Sequence, residues 1–113
     1  MIDAEVTIFT TEDVKKYGAT NIMKKAIEIA SNNTNGIHIS LDLDVIDPII
    51  APGVSIPEDN GISDTNMYEI VDEMLKYKEL IKSIDLVELN PDLDIDNKTK
   101  NIALNILKKI STN

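Results

Sequence analysis

The sequence predicts an α/β domain with three layers, in which helices cover both faces of a parallel sheet. One observation is the order of the elements: apolar runs alternate with amphipathic helical stretches as β-α-β-loop-α-β-α, about three β-α units. Another is that residues 37–46 are apolar at almost every position that is not Asp, as in a strand buried on both faces. The 113 residues suffice for one core, so we expect a single domain over residues 1–113.

The N-terminal part of the chain predicts a strand followed by helices. Residues 4–10 (AEVTIFT) are rich in β-branched side chains and favour a short buried strand. Residues 10–13 (TTED) predict a helix start, because threonine hydroxyls cap helices and acidic groups suit the first turn. Gly18 interrupts this helix, and residues 19–33 then carry apolar side chains at helical spacing, which indicates a second helix.

A long loop, a helix, a third strand and a last helix follow the strand over residues 37–46. Residues 47–63 hold three of the four prolines, and ordered loops of this length are usually functional. Residues 63–80 predict an amphipathic helix that Ser63 or Asp64 caps. A third strand is expected over residues 81–91 and a last helix over residues 97–112, with lysines near the helix end that suit its dipole.

The composition excludes several classes of function. The formal net charge is -9, and an acidic chain repels phosphate backbones, so nucleic-acid binding is not expected, whereas a metal ion or a cationic substrate is compatible. The sequence has no cysteine, which excludes disulfides and thiolate chemistry and fits a reducing compartment. We find no signal peptide and no membrane-spanning stretch, so we expect a cytoplasmic protein without membrane partners.

Two carboxylates near the end of the central strand need an explanation. Asp42 and Asp44 are two residues apart, which in a strand points both side chains to the same side. Two like charges this close raise one pKa, and a hard cation such as Mg²⁺, Ca²⁺ or Mn²⁺ between them would relieve the repulsion. The alternative is that both carboxylates cap loop amides or lie in water at the strand end.

The positions of three other side chains predict roles for them. Asp47 precedes a proline and starts a turn, so its carboxylate is expected to accept loop amide hydrogen bonds. Glu88 ends the third strand and could hold a cationic group such as a guanidinium, or lie exposed. His38 is the only histidine, and we expect a structural role for it rather than metal binding.

The motifs of this region resemble those of a known enzyme family. Residues 40–53 (SLDLDVIDPIIAPG) match without a gap the pattern Ser-x-Asp-x-Asp-x-x-Asp-Pro-x-x-Ala-Pro-Gly of the ureohydrolases, the arginase and agmatinase family. Residues 87–91 (VELNP) are more similar to arginases than to agmatinases, and residues 10–18 (TTEDVKKYG) resemble the segment that leads into this strand in arginases. The resemblance covers nearly the whole chain and corresponds to the C-terminal part of a single arginase-like domain.

The resemblance implies a two-manganese hydrolase that converts L-arginine and water to L-ornithine and urea. It implies that Asp42 bridges the two metal ions, that Asp44 binds one of them, and that Glu88 holds the substrate guanidinium. It assigns no catalytic acid or base to this chain. Agmatinase-type and formiminoglutamase-type chemistry, or a non-catalytic role as an assembly module, are the alternatives.

The chain also departs from the family pattern. The family takes its other four metal ligands from a Gly-Gly-Asp-His and an Asp-Ala-His-x-Asp stretch, and neither occurs here. We therefore expect the chain alone to be inactive and to bind Mn²⁺ weakly or not at all. Ile56 and residues 58–62 (EDNGI) replace a threonine and a Gly-Gly pair of the family loop. Open strand edges invite association, so a homo-oligomer is expected.

Overall fold

The computed structural model describes residues 6–112, and this part of the chain forms four helices and two strands. The helices are α1 Thr11–Tyr17, α2 Ala19–Ala30, α3 Asp64–Leu75 and α4 Lys98–Ser111, and the strands are β1 Ile37–Asp42 and β2 Ile81–Val87. Short 3-10 turns follow both strands, at Leu43–Val45 and Pro91–Leu93. No helix in residues 6–112 is long and apolar enough to cross a bilayer.

Helices α1 and α3 begin at residues whose side chains accept hydrogen bonds from backbone amides that would otherwise be unpaired. The Thr10 hydroxyl accepts a hydrogen bond from Asp13 N at 3.1 Å, and the Asp13 carboxylate accepts one from Thr10 N at 2.9 Å. Ser63 and Asn66 form the same reciprocal pair at the start of α3. Such capping boxes fix the first turn of a helix and were predictable from the Thr and Ser positions.

The two strands pair in parallel, which confirms the predicted α/β fold with a parallel sheet. Ile39 lies opposite Ile84 and Leu41 opposite Leu86, and α3 forms the connection between the strands. A parallel pair requires such a crossover, because a short hairpin can join only antiparallel strands. Consequently, the carboxyl ends of β1 and β2 lie at the same edge of the sheet.

The core lies on one face of this sheet. Alternate residues of β1 are buried there, and helices α2, α3 and α4 contribute the facing side chains. The largest fully buried side chains are Leu43, Ile46, Met74, Ile106, Val54, Val71 and Thr99. Two of these follow β1 directly and two lie on α3, so the core extends beneath the turn that carries the acidic motif.

The predicted first strand over residues 4–10 is wrong for the residues that the structure describes. Residues 6–10 have no strand pairing, and Val6 and Ile8 are 72% and 75% exposed; residues 4 and 5 lie outside the described part. A strand needs a neighbouring backbone for its hydrogen bonds, whatever its β propensity. Here Thr7 and Phe9 lie beside α2 instead, so residues 6–112 contain two strands rather than three.

Candidate active site

The turn after β1 carries the two carboxylates of the acidic motif. The strand ends at Asp42 instead of continuing to residue 46, and residues 43–45 form a 3-10 turn with Leu43 fully buried beneath it. The Asp42 carboxylate accepts a hydrogen bond from Asp44 N at 3.0 Å and thereby caps the turn. The prediction that strand alternation points the side chains of Asp42 and Asp44 to the same side is therefore wrong. The 3-10 turn brings the two side chains together instead.

The environment of Asp44 makes its ionised form unfavourable. Burial, a side-chain hydrogen bond with Asp42, and the charges of Asp42, Glu88 and Glu58 raise the pKa of Asp44 to about 6. All of these causes act in the same direction because each disfavours a second negative charge at this place. The negative charges of Asp42, Glu58 and Glu88 therefore all act on Asp44.

Replacing Asp44 by asparagine is expected to stabilise the metal-free chain at neutral pH. A carboxyl whose pKa is raised by folding binds more protons when folded, so the free energy of unfolding falls as pH rises from about 4 to above 6. The D44N variant should therefore gain about 1 kcal/mol at pH 7, after allowance for solvent screening, and little at pH 3.5. Urea denaturation in EDTA at both pH values measures this difference.

A matched control comes from an exposed acidic residue of the same loop. Asp59 is exposed, and D59N should change the free energy of unfolding by less than about 0.5 kcal/mol at either pH. An equal gain for D44N at both pH values would show that repulsion at Asp44 is not the cause.

Glu88 lies at the same edge of the sheet. Asp42 pairs with Val87 across the two strands, so Glu88 directly follows the residue opposite Asp42. Its backbone has φ of 73°, a left-handed conformation that is uncommon for a residue with a long side chain. Such strain is tolerated where the surrounding structure imposes it, often at ligand sites, and here it accompanies a carboxylate whose charge acts on Asp44.

The long loop returns to the turn through backbone pairing. Asp47 N donates to Ile62 O and Ile62 N donates to Val45 O, both at 2.9 Å. The Asp47 carboxylate accepts a hydrogen bond from Ile49 N at 3.0 Å, the pattern expected of a residue that begins a turn. A Cβ at Gly61 would lie 2.4 Å from Val45 O, so only glycine permits this close approach.

A second set of contacts fixes the middle of the loop to the segment that follows β2. Gly53 N donates to the buried Thr99 hydroxyl at 2.7 Å, and Asn90 N donates to Gly53 O at 2.6 Å. The Asn90 side-chain amide also donates to the Ser55 hydroxyl at 3.1 Å. Because Asn90 is two residues beyond Glu88, these bonds hold the loop beside the end of β2.

Asp94, just before α4, adds further hydrogen bonds to this second set of contacts. Its carboxylate accepts hydrogen bonds from the amides of Ile95, Thr99 and Lys100, each at 2.9 or 3.0 Å. Burial alone would raise the pKa of Asp94, but the hydrogen bonds from Lys100 and Thr99 outweigh it and hold the pKa below its usual range. Together with the hydrogen bond from Gly53 N to the Thr99 hydroxyl, these contacts anchor α4 to the loop that borders Asp44.

His38 lies on the other face of the sheet, in a satisfied polar network. Its Nδ1 and Ser83 Oγ are 2.5 Å apart, and its Nε2 lies 3.2 Å from an Asp85 carboxylate oxygen. The Ser40 hydroxyl donates to the other oxygen of Asp85 at 2.5 Å. Both ring nitrogens have partners, as expected for a structural histidine.

Several residues that shape this region were not identified from the sequence. In the sequence Glu58 is only a departure from the family loop, yet its charge acts on Asp44. The sequence predicts no role at the site for Thr99, Asn90 and Asp94. Asp94 lies three residues before Asn97, the N-cap residue of α4, so the usual capping position does not identify it.

The described residues do not form a complete metal site by themselves. Asp42 and Asp44 offer the oxygen donors that a hard cation prefers. However, no group of three or more His, Asp or Glu side chains within residues 6–112 is arranged to hold a metal ion. A manganese pair therefore does not fit the donor set that these residues supply alone, and further ligands would have to come from elsewhere.

Comparison with known proteins decides the family. Residues 1–112 match the family model for arginase, the arginase family. This chain belongs to the arginase family. The arginase of Brevibacillus brevis is 39% identical over 103 residues, which are 91% of this chain and 34% of that protein.

Solved structures show the same relationship for the fold. The native structure of Bacillus caldovelox arginase at pH 5.6 superposes with a TM-score of 0.85 at 33% identity, over 93% of this chain and 35% of that one. The formimidoylglutamase of Bacillus subtilis gives a TM-score of 0.83 at 27% identity, over 92% of this chain and 32% of that one. This chain is thus an incomplete arginase-type αβα fold, and it spans about a third of the length of these relatives.

Proposed function

We propose that this chain is the C-terminal part of an arginase-type ureohydrolase that converts L-arginine and water to L-ornithine and urea. The observation that carries the proposal is the convergence of Asp42, Asp44 and Glu88 at the carboxyl edge of a parallel sheet in an arginase-family chain. Ligands of open α/β sheets bind at this edge. The cysteine-free sequence fits a reducing compartment, and we place the reaction in the cytoplasm.

The proposed roles follow from the charge balance at this edge. Asp42 and Asp44 would supply oxygen ligands to manganese, whose positive charge would offset the repulsion that now raises the pKa of Asp44. Glu88 would hold the guanidinium by paired charge-assisted hydrogen bonds, since a planar carboxylate matches a planar guanidinium. Two carboxylates cannot complete a metal shell, so the proposed activity requires ligands from an additional arginase-type segment.

A fused chimera tests this function. The N-terminal portion of Bacillus caldovelox arginase that this chain does not match is joined to this chain and supplied with Mn²⁺. We expect urea release from arginine, and we expect Glu88→Gln to lower kcat/KM roughly 10- to 100-fold because a charge-assisted pair is lost. Glu79 is exposed and lies before β2, so Glu79→Gln is the matched control and should leave the rate unchanged.

The similarity to a formimidoylglutamase supports a second candidate within the same reaction class. Ile56 is 66% exposed in the loop beside the site and, unlike the family threonine, offers no side-chain hydrogen bond. Contacts between this loop and a substrate would therefore differ from the family pattern. The chimera is therefore assayed with arginine, agmatine and formiminoglutamate in parallel. Silence with all three substrates would refute the enzymatic proposal and favour a non-catalytic role as an assembly module.

A further inference from the structure

The dipeptide Asn-Gly occurs twice in the chain, each time followed by isoleucine. Asn35 and Gly36 lie in the connection between α2 and β1, and Asn60 and Gly61 lie in the long loop beside the acidic turn. Asparagine loses ammonia most readily before glycine, because glycine has no side chain to shield its nitrogen or restrict its backbone. Since the reacting groups are identical, a difference in reactivity between the two copies must come from their surroundings.

Loss of ammonia from Asn-Gly requires a backbone nitrogen that can attack the side chain. The deprotonated glycine nitrogen attacks the asparagine Cγ, a C–N bond forms, and the side-chain nitrogen takes a proton from water and leaves as ammonia. Water then opens the succinimide ring at one of its two carbonyls and gives aspartate or isoaspartate. A nearby cation favours this reaction and nearby anions oppose it, because the attacking group is negatively charged.

The surroundings of Asn35 favour the attack. Asn35 is exposed, and Gly36 N donates no hydrogen bond within residues 6–112. The side chain of Lys82 lies over Gly36, where its Cγ and Cε occupy the space that a Cβ would take. The lysine charge at this place favours the deprotonated glycine nitrogen. Because a lysine side chain can move aside, it does not hold the backbone of Gly36 in one position.

The surroundings of Asn60 oppose the same attack. The space that a Cβ on Gly61 would take is occupied by backbone atoms of residues 45–47, which cannot move aside as a side chain can. Two backbone hydrogen bonds join these residues to Ile62 and fix the peptide that follows Gly61. Residues 58 and 59 are both acidic, and their charges disfavour an anionic nitrogen beside them.

We propose that Asn35 is a site of spontaneous deamidation in the folded chain, whereas the fold protects Asn60. The isoaspartate product routes the main chain through the side chain and so adds one methylene group directly before β1. Ile37 N donates to Leu80 O at 2.8 Å, and the longer main chain displaces this donor and opens the start of the strand pairing. Neither step depends on the proposed hydrolase activity.

Incubation of the folded chain at mildly alkaline pH tests the site. Peptide mass spectrometry with electron-transfer fragmentation measures aspartate and isoaspartate at both positions. We expect Asn35 to convert at least about 10-fold faster than Asn60, because attack at Asn60 first requires local opening of the backbone around Gly61. In concentrated urea, where these contacts are lost, the two rates should agree within about threefold.

Asn35→Gln is the matched control, because the longer side chain would have to close a less favourable six-membered ring. After incubation, this variant should keep slow hydrogen exchange at the Ile37 amide, whereas the unsubstituted chain should exchange faster there. Conversion at Asn35 without faster exchange would support the site and overturn its effect on β1. The proposal is overturned if Asn35 does not convert, if Asn60 converts as fast in the folded chain, or if the difference between the two persists in urea.

Discussion

Truncating Leu43 to alanine is expected to lower the free energy of unfolding by about 2–5 kcal/mol, the usual cost of removing a buried leucine side chain. Leu43 is 0% exposed and lies between the two carboxylates of the motif. The lost side chain removes apolar contacts and leaves a cavity beneath the 3-10 turn. Small domains are stable by only about 5–15 kcal/mol, so a substantial part of the molecules should unfold at moderate urea concentrations.

The effect should extend to the site above the cavity. Without its buried anchor the turn over residues 43–45 loosens, and the pKa of Asp44 should fall from about 6 toward its ordinary value. Urea denaturation measures the stability, and carboxyl chemical shifts measure the titration. Ile49→Ala, at an 83% exposed position, is the control and should cost less than about 0.5 kcal/mol. A loss below about 1 kcal/mol for Leu43→Ala would mean that the turn does not depend on this anchor.

Replacing Thr99 by valine is expected to cost about 1–3 kcal/mol, although the two side chains have nearly the same shape. The Thr99 hydroxyl is fully buried, accepts the hydrogen bond from Gly53 N at 2.7 Å and contacts the Asp94 carboxylate. Valine removes the acceptor, so the buried Gly53 N–H loses its partner. Since this bond joins the loop to α4, the loop beside the site should become mobile as well.

Serine at position 99 is the matched control, because it keeps the hydroxyl and removes only a methyl group. Thr99→Ser should therefore retain slow hydrogen exchange at the Gly53 amide, whereas Thr99→Val should accelerate it. Thermal unfolding gives the stability of both variants. Equal destabilisation by serine and valine would show that the methyl contact, rather than the hydrogen bond, secures the loop.

The helices and their starts were predictable because the signals are local. The reciprocal cap of Thr10 and Asp13 involves four neighbouring residues, and so does the cap of Ser63 and Asn66. The parallel sheet followed from the alternation of strands and helices, since chain connectivity limits how consecutive strands can pair. The family motif could be recognised for the same reason, because residues 40–53 carry it without a gap.

The failures concern features that depend on distant residues. The strand expected at residues 4–10 has suitable side chains, but no neighbouring strand pairs with residues 6–10. The position of Asp44 was assigned from strand alternation, whereas the buried Leu43 and the Asp42 cap make the chain turn first. The contact between Gly53 and Thr99 joins residues 46 positions apart, which no local pattern reveals.

The sequence by itself determined the family, the helix starts and the identity of the acidic motif, because each is encoded in consecutive residues. Only the tertiary structure decided how Asp42, Asp44 and Glu88 meet: parallel pairing places Val87 opposite Asp42, and the left-handed backbone of Glu88 follows. It also decided which surfaces remain uncovered. Exposure depends on the neighbours that folding supplies, and no side chain carries that information alone.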